Sequence, residues 1–142
     1  MSKLRILIAD DHAMLREGLA LLIDAQGDME VTAQARSGSE AVAAARQRRP
    51  DIALLDVSMP ELGGAEAAEE ILRHDPSIRV VALTRHADHG YLRRMLRAGV
   101  SGYVLKKNAA DALIVAIRNV AASEPRAQRV AMAPARTAAS PS

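Results

Sequence analysis

The chain has 142 residues, 49% of them hydrophobic and 25% charged, which suits one globular domain with a real core. It contains no cysteine, which excludes disulfides and cysteine-ligated zinc. It also has no membrane-spanning run, and its start, "MSKLRILIAD", has no signal-peptide plan, so a cytoplasmic location is expected. The formal charge of +2 lies in the tail, because residues 1–122 hold 16 basic and 16 acidic residues and offer nucleic acid no net charge.

With no Phe or Trp, the core must be Leu, Ile, Val, Ala and Met. "LRILIA" (4–9) is a strand apolar on both faces, and residues 12–25 carry Leu15, Leu19, Leu22 and Ile23 at helical spacing. "MEVTAQA" (29–35) alternates apolar and polar, the mark of a strand with one wet face. A helix over 37–49 is stopped by Pro50, and "DIALL" (51–55) is a third strand. A helix over 64–74 closes at Asp75-Pro76, and "IRVVALT" (78–84) is a fourth strand. A helix over 88–99 ends at Gly99, "GYVLK" (102–106) is a fifth strand, and 108–123 is a fifth helix. Five strand-helix repeats imply an α/β, doubly wound, five-stranded parallel sheet. Residues 124–142, rich in Ala, Pro and Ser, read as a linker or disordered tail.

In such a sheet, ligands bind at the C-terminal strand ends. Those ends carry Asp10 and Asp11 after the first strand, Asp56 after the third, Thr84 after the fourth and Lys106 after the fifth. Adjacent acids at the end of a buried strand repel and resist desolvation, so three converging carboxylates need a cation. A hard divalent ion with oxygen ligands, Mg²⁺ foremost, meets that need. Asp also favours helix N-caps, and Asp11 taken alone fits that role equally well. The rim suits phosphoryl chemistry. Asp56, on the central strand before the long loop "VSMPELGG", is the best nucleophile, Lys106 supplies an ammonium and Thr84 a hydroxyl for a phosphoryl oxygen.

"ILIADDH", "DIALLDVSMPELGG", "VVALT" and "SGYVLKK" together resemble the receiver domain of bacterial two-component response regulators, over residues 3–122. "DDHAMLREGL", "RAGVSGYVLKK" and "AIRNVAA" resemble the NarL/FixJ, or LuxR-type, class. The resemblance implies the flavodoxin-like (βα)5 fold with strand order 2-1-3-4-5, which agrees with the half-wet second strand lying at an edge. It implies that Asp56 is the phosphoacceptor, and that Asp10 and Asp11, with Asp56 and the backbone carbonyl of Ser58, hold Mg²⁺ or Mn²⁺. Thr84 would be the switch hydroxyl, Tyr103 the switch aromatic and Lys106 the conserved lysine of the site. Pro60 and Gly64 match the loop after the phosphoacceptor. Such a domain is a signalling phosphoacceptor, promoting only its own phosphorylation and dephosphorylation. Its partner would be a sensor histidine kinase, and phosphorylation would drive a conformational change or a homodimer. Neither membrane binding nor DNA binding by this chain is expected. Relatives of this class carry a C-terminal helix-turn-helix, and residues 124–142 hold nothing that forms a recognition helix, so that domain is expected to be absent.

Two positions depart from the pattern. Arg85 stands where a small residue is common after the threonine, and narrows the approach to the site. Lys107 stands where many relatives carry an acid or small polar residue. Other features have plainer readings: Tyr103 as an edge-strand aromatic, His12 as a helix start, His86 and His89 as solvated loop residues, and Arg93, Arg94 and Arg97 as a solvated face. Ile114 and Val115 widen the apolar stripe of the fifth helix, through core burial or a dimer contact. Three other functions compete. An aspartate-nucleophile phosphatase of the haloacid dehalogenase type would need Asp-x-Asp where the chain has Asp10-Asp11-His12. A nucleotide or flavin module would need a Gly-rich loop where it has "DDHAML". A pseudo-receiver acting by contacts alone would have no use for the intact acid-Thr-Lys set.

Overall fold

The computed structural model describes residues 2–85 and 89–123. The expectations for His86, for the side chain of His89 and for the tail 124–142 fall outside these residues. The elements are β1 (Leu4–Ala9), α1 (Ala13–Asp24), β2 (Met29–Ala35), α2 (Gly38–Arg48), β3 (Ile52–Asp56), α3 (Gly64–His74), β4 (Arg79–Thr84), α4 (His89–Arg97), β5 (Gly102–Leu105) and α5 (Ala109–Ala121). The strands form one parallel sheet in the order β2-β1-β3-β4-β5.

Alternation along the strands builds two cores. Leu7, Ala9, Ala53, Leu55, Val80 and Ala82 face α2, α3 and α4, meeting Ala41, Ala45, Ala67, Ala68, Ile71 and Met95. Ile6, Ile8, Ile52, Leu54, Val81 and Leu83 face α1 and α5, meeting Leu19, Ile23, Leu113, Ile117 and Val120. Both faces of the central strands are therefore apolar, which is why their polar groups are confined to the strand ends. The alanines on the first face let α2 and α3 approach closely. The half-wet β2 is an edge strand, and its register against β1 shifts between Ile6 and Leu7.

Basic side chains satisfy exposed helix C-termini. Arg5 donates to the carbonyls of Arg48 and Arg49 at the end of α2, and Arg79 donates to those of Val120, Ala121 and Ser123 at the end of α5. Gly99, at φ +103°, provides the left-handed residue after α4. Among the described residues, no helix is long and apolar enough to cross a membrane.

Candidate functional site

The β3 strand delivers Asp56 as its last residue, paired with Leu83 of β4 and buried to 2% exposure. Asp10, just past β1, is fully buried. Asp10 accepts from the His12 backbone N–H at 2.9 Å through Oδ1, and its carbonyl accepts from Arg16 Nη1 at 2.8 Å. That pair of bonds fixes the turn from strand to helix. The Lys106 ammonium lies 3.0 Å from Oδ2 of both Asp10 and Asp56. Lys106 does not extend β5. The strand ends at Leu105, and Lys106 opens a 3₁₀ turn through Asn108 that leads into α5. The lysine therefore reaches back over the sheet end instead of continuing along the strand.

The electrostatics follow from burial. Burial, reinforced by the neighbouring Asp10 charge, pushes the Asp56 carboxyl up to about 6, against the opposing pull of Lys106 and the Ser58 N–H. Burial acts on Asp10 in the same direction. There it is outweighed by the His12 N–H, Lys106 and the His12 ring, which hold Asp10 below the usual range. Oδ2 of each buried carboxylate has the ammonium at close range but no aligned hydrogen bond. Carboxylate oxygens of Asp10, Asp11 and Asp56 and a ring nitrogen of His12 all lie within 4.8 Å of one another. Three carboxyl groups thus crowd around the Lys106 ammonium, a donor set that a divalent cation would help to neutralise. Oxygen-rich donors of this kind suit a hard ion such as Mg²⁺.

The structure thus brings together Asp10, Asp11, Asp56 and Lys106. Thr84 is buried at the end of β4, in register with Leu105, the residue before Lys106. The Ser58 N–H donates to Asp56 Oδ1 at 3.2 Å. Pro60 lies in the loop from 57 to 63, where its carbonyl accepts from Leu62 N–H. Gly64 is buried against the end of β3, and a Cβ there would stand 2.4 Å from the Asp56 carbonyl oxygen. Tyr103 is partly exposed on the edge strand β5, in register with Ala82.

Two plain readings are corrected. Asp11 does not cap α1: the N-cap is His12, and the carboxylate bonded to the His12 N–H is that of Asp10. Nor is His12 merely a helix start. Its Nδ1 lies 3.0 Å from Asp10 Oδ1, 3.3 Å from Asp11 Oδ1 and 3.3 Å from Lys106 Nζ. Arg16, buried behind Asp10, was not singled out from the sequence, because an arginine on an amphipathic helix ordinarily faces water. Arg93, Arg94 and Arg97 are all exposed, and Arg94 also pairs with Glu66 at 2.7 Å, which ties α4 to α3.

Residues 6–118 match the family model of the response regulator receiver domain. The transcriptional regulatory protein DegU of Brevibacillus brevis is 38% identical over 120 residues, covering 84% of this chain and 51% of the relative. The signal receiver domain of the response regulator NarL from Mycobacterium tuberculosis superposes with a TM-score of 0.81 at 27% identity, covering 87% of this chain and all of that one. A LuxR-family two-component response regulator from Aurantimonas sp. SI85-9A1 superposes at 0.79 with 34% identity, covering 92% of this chain and 96% of that one. The chain spans about half the length of the curated relatives it matches. With the sheet order and the carboxylate-lysine site on the same strand ends, the chain belongs to the response regulator receiver family, the phosphorylation-controlled domains of two-component signalling.

Proposed function

We propose that Asp56 takes a phosphoryl group from a sensor histidine kinase in the cytoplasm, and that Thr84 and Tyr103 convert the modification into a change of self-association. The observation that carries this is the buried Asp56 carboxylate with the Lys106 ammonium 3.0 Å from its Oδ2. An Asp56 oxygen attacks phosphorus and a new O–P bond forms. The P–N bond of the phosphohistidine, or the P–O bond of a small phosphodonor, breaks, and the leaving group keeps its electron pair. Lys106 stabilises charge on the transferring group. Asp10, Asp11 and Asp56, with the Ser58 carbonyl, would hold Mg²⁺ or Mn²⁺, and the ion supplies further charge neutralisation at the phosphoryl oxygens. The domain is modified once per donor and does not turn over phosphoesters. Incubation with acetyl phosphate, with Mg²⁺ or with chelator, tests this: stoichiometric uptake in Mg²⁺ only supports it, and steady release of phosphate from small phosphoesters contradicts it.

The metal reading has a stability consequence. An ion bound only by the folded state stabilises by mass action, about 1.4 kcal/mol at ten times its dissociation constant. That is a rise of roughly 5 °C in melting temperature for a domain of this size. Wild type should show this shift in Mg²⁺ and Asp11→Asn should lose most of it. An equal shift in both proteins contradicts the assignment.

The switch should run through Thr84, whose hydroxyl is drawn to the phosphoryl oxygens while Tyr103 moves into the space vacated. Phosphorylation acts by binding one pre-existing conformation better than the other. Met14 and Leu21, one face of α1, are 91% and 73% exposed, and Val115 is exposed on the neighbouring α5. Ile114 is half-buried against the core, so only part of its stripe is available. A second copy meeting the α1–α5 face would cover this surface symmetrically. Thr84→Ala should take up phosphoryl at near the wild-type rate. Sedimentation with beryllofluoride should show wild type shifting to dimer and Thr84→Ala remaining largely monomeric. An undiminished dimer in the variant removes Thr84 from the coupling. In longer relatives named as transcriptional regulators, such pairing would act on transcription through other residues. The charge-balanced body has no net charge to drive DNA binding of its own.

A further inference from the structure

Helices α2 and α3 end just before β3 and β4 begin, so their C-termini lie at the end of the sheet opposite Asp56. Between those C-termini is a cleft of about 430 Å³, a size that suits a small molecule. Its floor is apolar: Val42 and Ala45 of α2, Ile71 of α3 and Ile78 just before β4, the last three of them buried. Its rim is basic. Arg46 comes from the last turn of α2, Arg49 from its C-cap and His74 from the last turn of α3. The Arg46 guanidinium donates through Nη2 to His74 Nε2, from one helix to the other. Asp75 also lines the cleft, but its Oδ1 accepts from the Ser77 N–H at 3.1 Å and from the Ser77 hydroxyl at 2.6 Å. Among the described residues, no carboxylate lies within ion-pair distance of Arg46 or Arg49. Arginines in a last helical turn also complement the helix dipole. At α2 that role falls to Arg5, which donates to the carbonyls of Arg48 and Arg49, whereas Arg46 turns to His74.

We propose that this cleft is a second binding site, for a small organic carboxylate whose apolar body lies on the floor and whose anionic head meets Arg46 and Arg49. A guanidinium is always charged and presents a planar fork of donors that matches a carboxylate. Two such groups without an acid of their own give the mouth a positive charge that a neutral ligand leaves unanswered. The floor belongs to the same apolar core as Leu55 and Val80, and it withdraws the body of the ligand from water. An acidic peptide could meet the rim but has no apolar body to set on the floor, so the small acid is the better match. The cleft shares no residue with the carboxylate-lysine site, so a ligand there competes with neither a divalent ion nor a phosphoryl group. By bridging α2 and α3 it would also stabilise the folded state by mass action.

The test titrates the ¹⁵N-labelled full chain with 2-naphthoate, followed by amide shifts, with 2-naphthylmethanol as the uncharged counterpart. Naphthoate should give saturable shifts centred on Val42, Ala45, Ile71 and Ile78. The alcohol should bind at least about tenfold more weakly, the scale of one lost charge-assisted bond. Arg46→Gln and Arg49→Asn should each weaken naphthoate binding by about tenfold as well. Both side chains are exposed, and Asn accepts the left-handed backbone of residue 49, at φ 47°, so the helix end is kept. Failure to saturate at millimolar naphthoate, saturable shifts centred elsewhere, or equal binding of acid and alcohol overturn the proposal. Undiminished naphthoate binding in both arginine variants does so too. The comparison of acid with alcohol uses wild type alone, so it decides the role of the charge whatever the variants do. Two further outcomes contradict the small acid by naming another occupant. Displacement of naphthoate by a lower concentration of hexaglutamate would assign the cleft to an acidic protein partner. Self-association in sedimentation that Arg46→Gln abolishes would assign it to a second copy of the chain.

Discussion

Asp56→Asn should abolish phosphoryl uptake, lowering the rate by more than about a hundredfold, as expected when a nucleophile is removed from an otherwise intact site. The amide keeps the shape of the carboxylate but lacks the anionic oxygen that attacks phosphorus. The same variant should make the divalent-free protein more stable at neutral pH. The Asp56 carboxyl is pushed up to about 6 from an ordinary 3.8, first by burial and then by the Asp10 charge. The folded state therefore disfavours ionised Asp56. The penalty appears as pH rises past the unfolded value and is complete once pH exceeds the folded one. Removing it should stabilise by about 1–3 kcal/mol near pH 7 and by little near pH 4. Urea denaturation in chelator at the two pH values checks this. A variant less stable than wild type at neutral pH would mean that Lys106 more than offsets the cost of burying the charge.

Gly64→Ala should destabilise the domain by about 2–4 kcal/mol and slow phosphoryl uptake with it. A Cβ on Gly64 would stand 2.4 Å from the Asp56 carbonyl oxygen and 2.8 Å from Val57 Cα. Both are backbone atoms at the end of β3, so no side chain can swing away to relieve the contact. The Gly64 N–H also donates to the Val57 carbonyl at 3.0 Å, which fixes the start of α3 against the strand. An added methyl must push α3 outward or shift the residue that carries the chemistry. Urea midpoints and acetyl phosphate labelling measured together test this, and an alanine variant equal to wild type in both contradicts the close approach.

The strands and their acidic ends were legible for one reason. Central strands buried on both faces must be apolar throughout, so Asp10, Asp56 and Thr84 stand out where Ile8, Leu55 and Leu83 stop. The alternation in β2 likewise marked an edge. What stayed hidden depends on contacts far apart in sequence. Nothing local says that Lys106 leaves β5 for a 3₁₀ turn, because the reason is a pair of carboxylates on other strands. His12 read as a helix start, since its partners Lys106 and Arg85 come from the opposite half of the chain. Gly64 was marked by resemblance alone and Gly38 not at all, although a Cβ on Gly38 would collide with the Leu62 carbonyl. Close backbone approach leaves no periodic trace in a sequence.

The most direct test of the central claim is peptide mapping by mass spectrometry after incubation with acetyl phosphate and Mg²⁺. The account predicts one phosphoryl group per chain, on Asp56, and none when Mg²⁺ is chelated. A phosphoryl group on another residue, or labelling that persists without a divalent ion, would contradict it.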